Sequence, residues 1–443
     1  MPEPLSARIL LDRVAPEALF LALERACSDV FWLDAGAAAL EGWSFIGTGA
    51  PSSFPGEVRL DAPAAARAAA ADAGPPLRGG WVGWYDYESG ARAAGAPVAD
   101  AADVPGGAWL RISRLAAFDH ATGVVWVAAA EADLDEWGLF VTRVATTVSD
   151  DHPAVQVGSR RVEARHTPTE YAALIGRCRE LIRAGTAYQL CLTTRFTVPG
   201  AHDDVAVYRR LRSATPAHHG GFVRIGGRSL LSASPEQFLR AGGGVIRTRP
   251  IKGTRPRGAD AAHDAALASE LAVDAKERAE NVMIVDLMRN DLSRVCEPGS
   301  IRVDALWAIE TYPAVHQLVS TVSGKAAAGT TANALFEASF PAGSMTGAPK
   351  LSAMTCLHDL EGAPRGVYAG CFGYIGDDGS LDLAMVIRSI VIDGADAVVG
   401  AGGGITWRSV AASEVAEVAT KARAPLAALG AEMPAAWASD ILN

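Results

Sequence analysis

Short apolar runs that alternate with polar residues and stop at glycine dominate the first third of the chain. Trp43-Ser44-Phe45-Ile46-Gly47 and Gly80-Trp81-Val82-Gly83-Trp84-Tyr85 have this form, which predicts half-buried strands. Trp109 to Asp119, a turn at Ala121-Thr122-Gly123 and Val124 to Ala129 predict a hairpin. Residues 62–76, rich in Ala and Pro, and 90–107 read as loops. From Thr169 the period changes. Glu170 to Ala184 is helical by spacing, and Tyr188 to Thr194 alternates as a strand. Phe222 to Ile225, Leu230 to Ala233 and Val245 to Arg249 form a meander around glycine turns, and Ala261 to Val295 is one long, mostly helical stretch. Val367 to Ile375, Leu381 to Ile392 and Ala397 to Val399 predict three further strands. Strands joined by tight hairpins imply antiparallel sheets, so the class is α+β. The change of pattern divides the chain into an N-terminal region, 1–150, and a second region, 167–425, with a junction between them.

Composition narrows the class. With 443 residues, 49% hydrophobic and 20% charged, the chain can bury a large core. A net charge of −10 argues against a nucleic-acid partner. No apolar run reaches the length of a membrane span, and the Met-Pro-Glu-Pro start lacks the basic-then-apolar form of a secretory signal. Cys27, Cys178, Cys191, Cys296, Cys356 and Cys371 are scattered without a Cys-x-x-Cys pair. They read as free thiols, and the expected location is the cytoplasm.

Candidate chemistry is concentrated in the second region. In Arg249-Pro250-Ile251-Lys252-Gly253-Thr254, proline fixes the approach and glycine admits a close contact. An amine held this way can anchor an anion. It can also act as a nucleophile if burial or a cationic neighbour lowers its pKa. Arg247, Arg249, Arg255 and Arg257 lie near enough in sequence to act in that direction; the plain alternative is an edge-strand lysine in a basic turn. Glu277 and Glu280 lie three apart on one predicted helix, and Glu414 and Glu417 repeat the spacing on another. Two such pairs can hold Mg²⁺ when a substrate carboxylate adds the remaining oxygens, or they can be two solvated helix faces. Gly400-Ala401-Gly402-Gly403-Gly404 follows a strand and can cradle an anion with its backbone N–H groups, or form an ordinary hairpin turn. Gly343 to Lys350 lacks the Gly-Lys-Ser/Thr ending of a nucleotide loop, which excludes nucleotide binding there. Glu236, beside the same meander as Lys252, can serve as a general acid.

In order along the chain stand Tyr188-Gln189-Leu190-Cys191-Leu192, Ser234-Pro235-Glu236, Pro250 to Thr254, Asp286-Leu287-Met288-Arg289-Asn290-Asp291-Leu292, His316-Gln317-Leu318-Val319-Ser320, Gly343 to Lys350, Val386-Ile387-Arg388-Ser389 and Gly400 to Gly404. These eight segments resemble the chorismate-utilising enzymes, a family of anthranilate, aminodeoxychorismate, isochorismate and salicylate synthases. The likeness covers residues 167–425 and, more loosely, the N-terminal region. It implies large antiparallel sheets packed as a sandwich with helices outside. It also implies Mg²⁺ held mainly by Glu280 and Glu417, with Glu277 and Glu414 in support. Tyr368, Arg388, Gly402, Gly403 and Gly404 would hold the enolpyruvyl carboxylate of chorismate, with Lys421 near the metal-bound end. Ser344, Thr346 and His316 would line the ring, His316 among the catalytic groups. Isochorismate and salicylate synthases carry a water-activating lysine where this chain has Gln189. Anthranilate synthases carry alanine where it has Lys252, a lysine typical of the aminodeoxychorismate synthases. The resemblance therefore implies amination of chorismate at carbon 4 through a Lys252 adduct, with Glu236 as acid. The ammonia would come from a separate glutamine amidotransferase subunit. An anthranilate synthase and a non-catalytic chorismate-binding relative are the alternatives. The loop Arg408 to Ser413 departs from the acidic pattern of relatives, and Phe31 to Asp34 follows their tryptophan-binding region only loosely.

Overall fold

The computed structural model describes residues 5–10, 14–37, 39–62, 74–98, 107–144 and 160–438. Its strands form one hydrogen-bonded network in which every ladder is antiparallel. The expected hairpin is present, Ala108–Asp119 pairing with Val125–Ala129. The two sequence regions share ladders. Val30–Asp34 pairs with His219–Ile225, and Gly80–Tyr85 pairs with Cys371–Gly376.

Alternation along the strands sends apolar side chains to two places. Phe31, Phe45, Trp84, Leu110, Val223, Leu230 and Phe372 meet in a core built almost wholly from strands, the filling of a sandwich. Their neighbours on the opposite face pack under helices. There Phe20 and Leu23 of Pro16–Ala26 join Tyr171 and Ile175 of Pro168–Arg183, and Tyr208 of Asp204–Ala214 meets Val418 and Ala422 of Ala411–Ala428. Each large side chain so buried contributes roughly 1.5–3 kcal/mol. The architecture is α+β, antiparallel sheets with helices outside.

Local chemistry decides where elements break. The stretch expected as one helix over 261–295 is two, Ala261–Val273 and Ala275–Ser293. Asp274 stands between them in extended conformation, and its carboxylate accepts from the Lys276 and Glu277 amides as an N-cap. Leu381 to Ile392 is likewise two strands, Leu381–Met385 and Ser389–Asp393. Arg388 lies between them at φ +52°. The break hands the chain from partners Gln237–Gly242 and Cys371–Gly376 to partners Arg228–Ser234 and Asp396–Ile405. The loop expected over 90–107 begins inside a helix, Tyr87–Ala93, capped by Asp86. Most of the two expected loops and of the junction (63–73, 99–106 and 150–159) lies outside the described residues. None of the described helices is long and apolar enough to cross a membrane.

Candidate active site

A cavity of about 370 Å³ is floored by Gly400 to Gly404. These glycines form neither a turn nor a loop. They continue the strand Asp396–Ile405 and pair residue by residue with Gln189–Pro199. Pairing on the other edge stops at Val399, so from Gly400 onward that edge is not taken up by a strand among the described residues. The Gly402 carbonyl there accepts from Lys421 Nζ at 2.8 Å. Absence of side chains is a packing requirement. A Cβ on Gly400 would lie 2.1 Å from the Tyr368 ring, and one on Gly404 would lie 2.8 Å from Gln189 Nε2.

Lys252 reaches the cavity from the strand Ile251–Pro256, which pairs with Val315–Lys325. Lys252 opposes Leu318 and Thr254 opposes Gln317, so Gly253 is an extra residue, a bulge at φ +76°. Among the described residues no carboxylate makes an ion pair with Lys252. The arginines expected to perturb it are engaged elsewhere. Arg249 pairs with Glu310, Arg255 with Glu270 and Asp274, and Arg257 with Asp264. The cationic companion of Lys252 is instead Lys421, and both ammonium groups act on the Glu236 carboxyl. Glu236 directly precedes the strand Gln237–Gly242, and its backbone carbonyl accepts from the Met385 amide at 3.0 Å. Desolvation pushes its pKa up to about 7, against the lowering effects of Lys252, Lys421, the Ile251 amide and the Ser344 hydroxyl.

Two helices present their first two turns to the cavity. Glu277 and Glu280 come from Ala275–Ser293, Glu414 and Glu417 from Ala411–Ala428, and all four line the cavity. The positive end of each helix macrodipole favours carboxylates there. Gly403 faces the second pair, since a Cβ on it would lie 3.1 Å from Glu414 Oε2 and 3.9 Å from Glu417 Oε1. Desolvation raises the pKa of Glu277, aided by repulsion from Glu280. Desolvation likewise raises Glu414, against a hydrogen bond from Ser409. Burial works the same way on Glu417, but Lys421 at 2.5 Å, helped by Lys252 and Lys276, holds it below the ordinary value. Lys276 also lines this wall and sits 3.8 Å from Glu280. Burial opposes its charge, yet attraction from Glu280, then Glu414, Glu277 and Glu417, raises its pKa. Among the described residues no three acidic, imidazole or thiol groups are drawn close enough to grip one ion.

Arg388 completes the cavity, half-buried and without a carboxylate partner among the described residues. Burial lowers its pKa, while Tyr368 and Glu417 act to raise it. Tyr368 and Ser344 line the same space. His316 and Thr346 do not. His316 Nε2 lies 2.9 Å from Asp264 and Nδ1 lies 2.9 Å from Thr311, so the ring clamps the helix Ala261–Val273 to the sheet. Thr346 is fully buried; its hydroxyl donates to the Ala342 carbonyl and its own carbonyl accepts from Cys191. Successive strand residues face opposite ways, and Gln317 rather than His316 faces the cavity. Strand parity was the signal that could have found it. Lys276 was legible by helical spacing from Glu280. Gln189 is buried beside the floor, with neither amide atom hydrogen-bonded among the described residues.

A second cavity, of about 620 Å³, takes Leu33 and Asp34 into its wall together with Trp43, His218 and Tyr312. Asp34 is held there by Arg212 at 2.5 Å.

A family model described as chorismate binding enzyme matches residues 40–427. The aminodeoxychorismate synthase of Streptomyces pristinaespiralis is 41% identical over 375 residues, 82% of this chain and 52% of that protein. Anthranilate synthase component 1 of Streptomyces coelicolor is 37% identical over 80% of this chain and 73% of its own length. The crystal structure of anthranilate synthase component I from Streptococcus pneumoniae superposes with a TM-score of 0.73 at 26% identity, covering 96% of this chain and 92% of that one. The chain spans about half the length of the curated relatives named aminodeoxychorismate synthase that it matches.

Proposed function

Since the chain belongs to the chorismate-binding enzymes, we propose that it aminates chorismate at carbon 4, as component I of an aminodeoxychorismate synthase. The observation that carries this reading is Lys252, without an ion pair among the described residues, in one cavity with Glu236, a carboxyl that desolvation pushes up to about 7. The neutral Lys252 amine attacks ring carbon 2, the double bonds shift along the ring, and the 4-hydroxyl departs as water with the Glu236 proton. The Glu236 carboxylate then accepts a proton as ammonia adds at carbon 4. The double bonds return and Lys252 leaves. Two allylic displacements replace one hindered substitution, the usual gain of covalent catalysis.

Arg388 and the backbone N–H groups of the glycine strand would receive one substrate carboxylate, a reading supported by their shared place in the cavity lining. Glu280 and Glu417, supported by Glu277 and Glu414, suit a hard divalent cation such as Mg²⁺, because every donor is a carboxylate oxygen. Gly403 leaves room between the second pair. When bound, Mg²⁺ would neutralise and orient the ring carboxylate. A separate glutamine amidotransferase would supply ammonia.

Incubation with chorismate, Mg²⁺ and an ammonium salt should yield 4-amino-4-deoxychorismate by mass, whereas glutamine alone should yield none. Lys252→Ala should abolish a mass-detectable protein adduct, and an unchanged adduct would remove the lysine from the mechanism. The several anthranilate synthases among the relatives support a second reading. A fluorescent anthranilate product would select it, and no consumption of chorismate would leave a binding role only.

A further inference from the structure

Two ammonium groups already sit among the four glutamates, and they are held very differently. Lys421 Nζ is fixed by two contacts, Glu417 at 2.5 Å and the Gly402 carbonyl at 2.8 Å. Lys276 has a single loose pairing, 3.8 Å to Glu280, and its side chain is 55% exposed. Four flexible bonds let such a lysine withdraw its head into water at little cost. Fully ionised, the quartet would carry four negative charges against the two of these lysines, with all six groups on one cavity wall.

We infer that Lys276 is a resident, displaceable counter-ion of the glutamate quartet, which competes with the incoming divalent cation for Glu280. The inference rests on the metal reading proposed above. It accounts for two features together: the quartet tolerates its own repulsion, and its carboxylates are not gathered around one point among the described residues. Glu280 pairs with Lys276 at 3.8 Å and Glu417 with Lys421 at 2.5 Å. A cation that binds must release Glu280 from Lys276, whose head then moves to solvent. Lys276 therefore weakens metal binding to the free protein without contributing a ligand, a role separate from that of the anchored Lys421.

Mn²⁺ binding to the full chain without substrate, read by electron paramagnetic resonance of the free ion, tests this. Lys276→Met removes the competing charge and should tighten Mn²⁺ binding by about threefold to fivefold at low ionic strength, a difference that shrinks as salt screens the quartet. Lys276→Arg, which keeps the charge, should bind as the wild type does. Glu280→Gln is the control and should weaken binding in either background. Equal or weaker affinity in Lys276→Met, with the Glu280-dependent signal intact, overturns the inference alone. A Mn²⁺ signal insensitive to Glu280→Gln, or none at all, overturns the metal reading and the inference with it.

Discussion

Glu236 shows how one residue's surroundings set both a proton and a stability. Its folded pKa, about 7, stands above the ordinary value of 4.5. The protonated carboxyl is therefore favoured by the fold. That contribution is fully present below about pH 4.5 and is lost as pH rises through about 7. Glu236→Gln has no proton to lose. Its stability relative to wild type should climb between those limits by on the order of 2 kcal/mol, read by urea denaturation at several pH values; parallel curves would contradict the shift. In the proposed mechanism Glu236 is the acid for the first displacement, so the rate of adduct formation should fall above about pH 7. The glutamine variant should lose that limb and about 10²–10⁴-fold in rate. Glu236 and Lys252 were legible as candidates because their segments carry unusual turn chemistry. His316 was not correctly placed, because the motif was read without the strand parity that turns Gln317 inward.

Elements aim these residues, and the bulge at Gly253 is the clearest case. One extra residue on the Lys252 strand re-aims the lysine and sets the backbone against Leu271 and Glu277 of the two neighbouring helices. A Cβ at Gly253 would lie 2.7 Å from Leu271 Cδ1 and 3.0 Å from Glu277 Cγ, at a φ of +76° that L-residues resist. Gly253→Ala should destabilise by roughly 1–3 kcal/mol. It should slow adduct formation by on the order of 10²-fold, since the neighbours that must move include Glu277 of the cavity wall. Denaturation together with single-turnover mass spectrometry would check both. Such breaks were the least legible part of the fold. Asp274 divides the expected long helix because a cap competes locally with helical period. Arg388 divides an expected strand because the chain changes partners there, a tertiary event with no local signature. Apolar alternation, by contrast, correctly placed the hairpin at Ala108–Asp119 and Val125–Ala129.

Across the whole molecule, the ladders joining Val30–Asp34 to His219–Ile225 and Gly80–Tyr85 to Cys371–Gly376 make the two sequence regions mechanically one. A fragment beginning at residue 160 would expose both receiving strands as unpaired edges. It should aggregate, while the full chain should unfold in a single transition by calorimetry and near-ultraviolet dichroism. A soluble fragment with native dichroism would show the ladders to be dispensable. Antiparallel class was legible from hairpin spacing, but pairing across 186 to 296 residues was not, because no local pattern records it. The glycine floor has a further consequence at this scale. A surface made of main chain leaves little to exchange, since a side chain added at Gly400 or Gly402 collides with the Tyr368 ring or the Leu192 carbonyl. Change in the lining of this cavity is thereby channelled to the side chains around the bed, such as those at 252 and 317. Exchanges there can reshape the space over a floor that stays the same.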